Sequence, residues 1–213
     1  MKKTLLVLSA IVLFAAFQPA KAQIRFGVQA GVNLSSIGSS DDKMNTKLGF
    51  HAGLTTEIPI VMGLQFNPGI LYSMKGATDE VKIAGITGKN NITTHHITVP
   101  LFFSYKLSLG NIAIAPQVGP YIGYGLGGNA KTTANDKELS NVDVYGEETP
   151  SLNANAFEFG LGLGLNVHFG NIAVGAGYDL PFSNFTDAVT VGNVTVAEAT
   201  KMSNIRISVA YLF

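Results

Sequence analysis

The stretch IRFGVQAGVNL, residues 24–34, decides the fold. Ile24, Phe26, Val28, Ala30, Val32 and Leu34 fall on one side of an extended chain, and Arg25, Gly27, Gln29, Gly31 and Asn33 on the other. Side chains alternate across a strand with a period of two, so the segment reads as a strand with one apolar face and one small or polar face.

The same period recurs at residues 47–58, 62–73, 94–107, 111–126, 155–169, 171–182 and 204–213. Together these make eight strands of about ten residues or more, a length that suits a tilted transmembrane strand and exceeds that of a soluble sheet. The connections alternate. Residues 35–46, 74–93, 127–154 and 183–203 are long and polar, whereas 59–61, 108–110 and 170 are short. That alternation predicts an all-β fold, an antiparallel up-and-down transmembrane barrel with long outer loops, short periplasmic turns and both termini in the periplasm. A soluble sandwich has no reason to alternate its loops in this way.

Composition agrees. The chain has 24 glycines, only 13% charged residues and a mean hydropathy of +0.28, yet after residue 22 it offers no apolar run long enough for a membrane helix. A barrel reconciles the two. The opening MKKTLLVLSAIVLFAAFQPAKAQ has Lys2 and Lys3, an apolar run, then Ala20 and Ala22. It reads as a secretory signal peptide over residues 1–22, cleaved between Ala22 and Gln23, which leaves 23–213 as the barrel domain. The absence of Cys removes disulfides, thiolate chemistry, Cys-based zinc sites and a lipoprotein anchor. Without Lys2, Lys3 and Lys21, the 14 basic residues become 11 against 14 acidic ones, with no basic patch to recommend nucleic acid. The long connections hold 11 of those 14 acids, and residues 131–150, the most acidic stretch, are expected to be the most mobile.

On the apolar face, Phe26, Tyr105, Phe169, Tyr211 and Phe213 fall near the periplasmic level, and Tyr72, Tyr124, Phe157, Tyr178 and Phe182 near the outer one, as two aromatic girdles. The opposite face carries Arg25, His51, Glu57, Gln65, Asn67, His96, Gln117, Tyr121, Glu158, Asn166, His168, Asp179 and Arg206, interleaved with glycines. An eight-stranded barrel leaves inside only room for side chains or one small ligand. Inward charges must therefore be paired or hydrated, and Arg25, His51, Glu57, Glu158, Asp179 and Arg206 are expected to form a polar network. Arg25 and Glu57 lie at the same end of neighbouring strands and are expected to pair, with Glu158 or Asp179 as the partner of Arg206. Pro68, Pro100, Pro116 and Pro120 fall within strands, where bulges or strand ends are expected.

The four histidines, His51, His95, His96 and His168, are too scattered for a metal site, and no cofactor is implied. A lipid-modifying enzyme would need a nucleophile and base on the lipid face; His95, with Thr93 and Ser73 near it, is the nearest approach, without a nucleophile signature. The glycine run at residues 119–128 lacks the following Lys and helix of a phosphate loop.

The chain stops on NIRISVAYLF, alternating up to a terminal aromatic. Tyr211 and Phe213 are the expected assembly signal, read by the outer-membrane insertion machinery. With this end, the signal peptide, GVQAGVNLS, ITVPLFFSYKL, APQVGPYIGYGL and FGLGLGLNV, the chain resembles the PorT-like family of outer-membrane β-barrel domain proteins. That resemblance implies a small barrel in the outer membrane of a Gram-negative bacterium; the family's namesake is linked to protein secretion. The expected function is non-enzymatic, exerted through the extracellular loops as surface contact, envelope integrity or docking to a secretion or assembly partner. A narrow pore or small-ligand carrier using the polar lumen is the alternative. Expected partners are outer-membrane lipid, the assembly machinery and an envelope protein.

Overall fold

The computed structural model describes residues 23–39, 44–83, 86–135, 137–146, 151–191 and 194–213. Residues 1–22, expected as a signal peptide ending at Ala22, lie outside them, and Gln23 is the first described residue. The strands in chain order are β1 (Arg25–Gly38), β2 (Asn45–Val61), β3 (Leu64–Ile83), β4 (Ile86–Tyr105), β5 (Leu107–Leu109), β6 (Ile112–Ala134), β7 (Lys137–Asp143), β8 (Phe157–Phe169), β9 (Ile172–Pro181), β10 (Val189–Val191), β11 (Val194–Ala197) and β12 (Lys201–Leu212).

Neighbouring strands pair antiparallel in the order β4-β3-β2-β1-β12-β9-β8-β6, and the β4–β6 ladder closes the ring of eight. Chain ends meet at the β1–β12 seam, where Gly27 faces Leu212 and Phe213 N donates to Phe26 O at 2.8 Å. Closure leaves the barrel proper without an edge. β5 continues the line of β4 past a break at Lys106, whose amide donates to Gly63 O at 2.7 Å.

The turns at the end holding both termini are two residues long. Leu109 pairs with Ile112 and Phe169 with Ile172, around Gly110 (φ 69°) and Gly170 (φ 60°). The repeated Gly-Asn dipeptide supplies the left-handed first position that matches a hairpin's twist. The remaining turn differs from the expected 59–61. β2 runs on to Val61, which faces Leu64, and Met62 (φ 39°) and Gly63 (φ 87°) make the turn.

At the opposite end the strands are longer than their periodicity suggested. Of residues 74–93, expected as a loop, 74–83 continue β3 and 86–93 belong to β4, and the two strands pair from Leu64–Tyr105 to Ile83–Ile86. Likewise β6 extends to Ala134 and β7 folds back on it, so most of residues 131–143, expected to be mobile, are strand. Residues 136 and 147–150 of that stretch lie outside the described residues. The prolines also depart from expectation. Register is unchanged across Pro68 and Pro100, where pairing is only interrupted, and runs unbroken through Pro116 and Pro120. The irregularities fall instead at 46–51, 59–61, 95–96 and 132–133.

The expected faces hold. Phe26, Tyr124, Phe157, Tyr211 and Phe213 stand exposed on the outer wall, while His51, Tyr121, His96 and Arg206 are buried inside. An apolar exterior around a polar interior is the reverse of a soluble core and fits a surface solvated by lipid.

Candidate functional site: the lumen and its two ends

Glu57, Glu158 and Asp179, the three acids outside the long connections, each anchor a buried cluster stacked along the barrel axis. Nearest the turn end, Arg25 Nη2 donates to Glu57 Oε2 at 2.5 Å, across the neighbouring β1 and β2. Two further groups join them: His168, expected on the inward face, with its Nδ1 3.5 Å from the Glu57 carboxylate, and Lys106, which was not expected there, with its Nζ at 3.3 Å. Lys106 comes from the break between β4 and β5, which no alternation pattern announces.

In the middle, Arg206 Nε lies 2.9 and 3.0 Å from the two oxygens of Asp179, so Asp179 rather than Glu158 is its partner. The guanidinium stacks over the Phe102 ring at 5.1 Å. Asn204 donates to Asp179 Oδ2 at 3.0 Å, Asn33 Oδ1 meets His51 Nδ1 at 2.9 Å, and His51 Nε2 meets Ser208 Oγ at 2.9 Å. Beside this cluster is a cavity of about 40 Å³, lined among others by Gln29, Asn67, Gln117 and Arg206. Asn67 Oδ1 and Arg206 Nη2 have no hydrogen-bond partner among the described residues. One or two waters would fit such a space and satisfy a donor and an acceptor together.

Toward the hairpin end, Lys75 Nζ bonds both oxygens of Glu158, at 3.0 and 2.9 Å, and the Tyr121 hydroxyl donates to Oε1 at 2.9 Å. Lys75 was invisible to a reading that ended its strand at Ser73. Continuing the period of two through Leu71, Ser73, Lys75 and Ala77 would have placed it inside with them. His96 bridges upward, its Nε2 bonding Thr94 Oγ1 and the Tyr145 hydroxyl, each at 3.0 Å.

Above this layer the lumen is closed by hydrocarbon. Ile37, Ala77, Val144, Ala154, Phe185 and Met202 form a buried cluster, with Met44, Ile92, Ala130 and Tyr145 against it. Val144, Tyr145, Ala154 and Phe185 come from the connections, which fold back into the mouth. Val144 N donates to Gly128 O at 3.1 Å, Asn155 N to Phe185 O at 2.8 Å and Phe185 N to Thr200 O at 2.6 Å. At the water-exposed rim, Asp187 accepts from Asn155 at 3.2 Å and Asn184 at 3.2 Å, which holds its carboxyl below the usual range.

Two glycines show how large inward side chains fit so narrow a ring. A Cβ at Gly162 would collide with the Phe102 ring, and one at Gly125 with the Tyr145 ring. Interior glycines therefore make room for large inward side chains of neighbouring elements, and not for an open channel.

Ser73 is not beside His95. It is buried on the lumen face, whereas His95 lies on the outer wall with its Nδ1 2.6 Å from the Tyr72 hydroxyl. Thr93 Oγ1 accepts from Lys47 Nζ at 2.5 Å. Among the described residues no three His, Asp or Glu side chains are gathered as a metal site.

A lipid-facing wall, a closed eight-stranded ring and a side-chain-filled lumen agree with the comparison to known proteins. Residues 16–187 match the family described as "Outer membrane protein beta-barrel domain". The chain belongs to that family. Membership carries with it the outer membrane of a Gram-negative cell as the location. A major outer membrane protein of Thermus thermophilus shares the fold, with a TM-score of 0.50 and 15% identity over 90% of this chain and 100% of that one. Neisserial surface protein A is similar at a TM-score of 0.45 and 16% identity, covering 88% and 97% of the two chains. Ail, the attachment invasion locus protein of Yersinia pestis, solved with the heparin analogue sucrose octasulfate, is similar at 0.40 and 13%, covering 90% and 99%. None of the curated proteins matches the chain in sequence.

Proposed function

We propose that this is a non-enzymatic surface protein, one of the PorT-like members of its family, that acts through the sheet projecting beyond the barrel. The hairpin end faces outward, and the short turns and both termini face the periplasm. The observation that carries the reading is the ribbon formed where β3, β4, β6 and β7 continue past the hydrophobic plug. Among the described residues β6 is the strand partner of β7, whose other edge is bridged at Asp143, by Ser151 and Leu152, and is otherwise without a strand beside it, with Leu139 67% exposed. Such an edge is a template for an added strand from an envelope or extracellular partner. The closed lumen argues against the alternative of a pore or small-ligand carrier.

Because the chain has no Cys, orientation and role can be tested together. Leu139→Cys on the ribbon and Met62→Cys in a turn are treated with a membrane-impermeant maleimide on intact cells. Labelling of the first and not the second supports the outward ribbon; the reverse pattern overturns it. Replacing the ribbon tip around Asn135 by a tight turn should leave the barrel heat-modifiable on gels while removing the protein's contribution to surface contact or envelope integrity. An unaltered phenotype would count against the ribbon as the working surface.

A further inference from the structure

The outer wall at the β1–β12–β9 seam carries a second feature, independent of the ribbon. A groove of about 620 Å³ opens where these strands reach the hairpin end. Lys201, Ser36, Ser203 and Asn184 line its polar side, and Tyr178 and Leu180 its apolar side. Strand alternation fixes which way it faces. Ser35, Ile37, Met202, Asn204 and Asp179 are buried in the lumen, so the residues between them in sequence point out toward lipid. Below the groove the wall continues apolar, with Ile205 and Ile207 exposed.

The groove therefore straddles two media. Its floor is continuous with hydrocarbon-facing wall, and its upper rim holds an ammonium, two hydroxyls and an amide. Lys201 has no ion-pair partner among the described residues, and Asn184 is held in place through its Nδ2 bond to Asp187, which leaves its side-chain carbonyl as an acceptor. A free ion would sit against Tyr178 and Leu180, and a bare acyl chain would sit against Lys201. An amphiphile with an anionic, hydroxyl-rich head satisfies both sides.

We propose that this groove binds a phosphorylated glycolipid of the outer leaflet. Lys201 takes the phosphate as a charge-assisted donor, Ser36, Ser203 and Asn184 take sugar hydroxyls, and the acyl chains lie along Tyr178 and Leu180 toward Ile205. The assignment to the outer leaflet rests on the orientation argued above; the amphiphile chemistry does not.

The test uses the full barrel refolded in mild detergent and titrated with fluorophore-bearing bisphosphorylated lipid A, with dephosphorylated lipid A and phosphatidylglycerol as the other arms. Lys201→Ala should weaken binding of the bisphosphorylated lipid about tenfold, dephosphorylation should have a similar effect on the unaltered protein, and Lys131→Ala on β6 should change nothing. Unboiled gel mobility confirms that each variant is folded. Equal affinities for Lys201→Ala and the unaltered chain overturn the site. Phosphatidylglycerol bound as tightly as lipid A, with the same dependence on Lys201, overturns the glycolipid assignment. The maleimide labelling of Leu139→Cys involves no lipid titration, so a wrong orientation is told apart from a wrong site.

Discussion

Lys75 and Glu158 form a deeply buried ion pair, their side chains 1% and 9% exposed. Replacing Lys75 by Met keeps the length of the side chain and removes its charge. Glu158 then retains only the Tyr121 hydroxyl at 2.9 Å, with His96 Nδ1 3.6 Å away. Stranding a buried carboxylate in this way costs about 3–5 kcal/mol. Glu158→Gln strands the ammonium instead, beside the Tyr121 ring at 5.7 Å, at a similar cost of about 3–5 kcal/mol. The double variant leaves no charge, and its Gln still accepts from Tyr121, so the loss falls to about 1 kcal/mol, the value of an ordinary hydrogen bond. The singles should thus sum to about 5–9 kcal/mol more than the double, a large departure from additivity. The assay is urea unfolding of each barrel in phospholipid vesicles, followed by the loss of the fast-migrating band on unboiled gels. A double variant that loses as much as the two singles added together would refute the pairing.

Met62→Asn should stabilise the barrel by about 1 kcal/mol, because Asn tolerates the left-handed conformation that Met is forced into before Gly63; an unchanged urea midpoint would mean that Met62 is not held there. Deleting Phe213, a residue 64% exposed, should leave folding in detergent intact and cut outer-membrane levels severalfold, as expected of a side chain read by the insertion machinery; normal levels in cells would contradict that role. Acid should loosen the rim at Asp187. Its carboxyl is held below the usual range by Asn155 and Asn184, so its stabilising bonds are complete above the ordinary carboxylate range and are lost as pH falls through the depressed value. Hydrogen exchange of residues 183–187 should quicken there, and exchange unaffected by pH, after correction for intrinsic rates, would refute it.

The fold was legible because its two signals are local. Alternation along each strand and the rhythm of loop lengths are written residue by residue, and the inward face from Arg25 to Arg206 follows from them. What escaped depends on contacts distant in sequence. Lys75 lies past Ser73, where polar residues on both faces of a projecting ribbon erase the alternation that marks a membrane strand, although the ladder from Lys75–Thr94 to Lys82–Thr87 continues unbroken. Lys106 reaches Glu57 from a strand break set by the turn at Gly63. The plug was hidden for a related reason: Val144 and Phe185 are single apolar residues in polar connections, and only the return of those connections into the mouth brings them to Ile37 and Met202. The prolines misled because a ladder tolerates a missing donor when its register is fixed on both sides, as at Pro116 between the Ala115–Asn166 and Gln117–Gly164 pairs and at Pro120 between Gly119–Gly162 and Tyr121–Gly160.

Single-channel recording in planar bilayers tests the closed lumen most directly. Hydrocarbon at the outer mouth and paired charges beneath it predict a silent bilayer for the unaltered protein. They also predict that conductance first appears when the plug is opened, as in a Val144→Ser, Phe185→Ser double variant that still shows heat-modifiable mobility. Steady, concentration-dependent channels from the unaltered, fully folded chain would contradict the claim and return the lumen to the role of a pore.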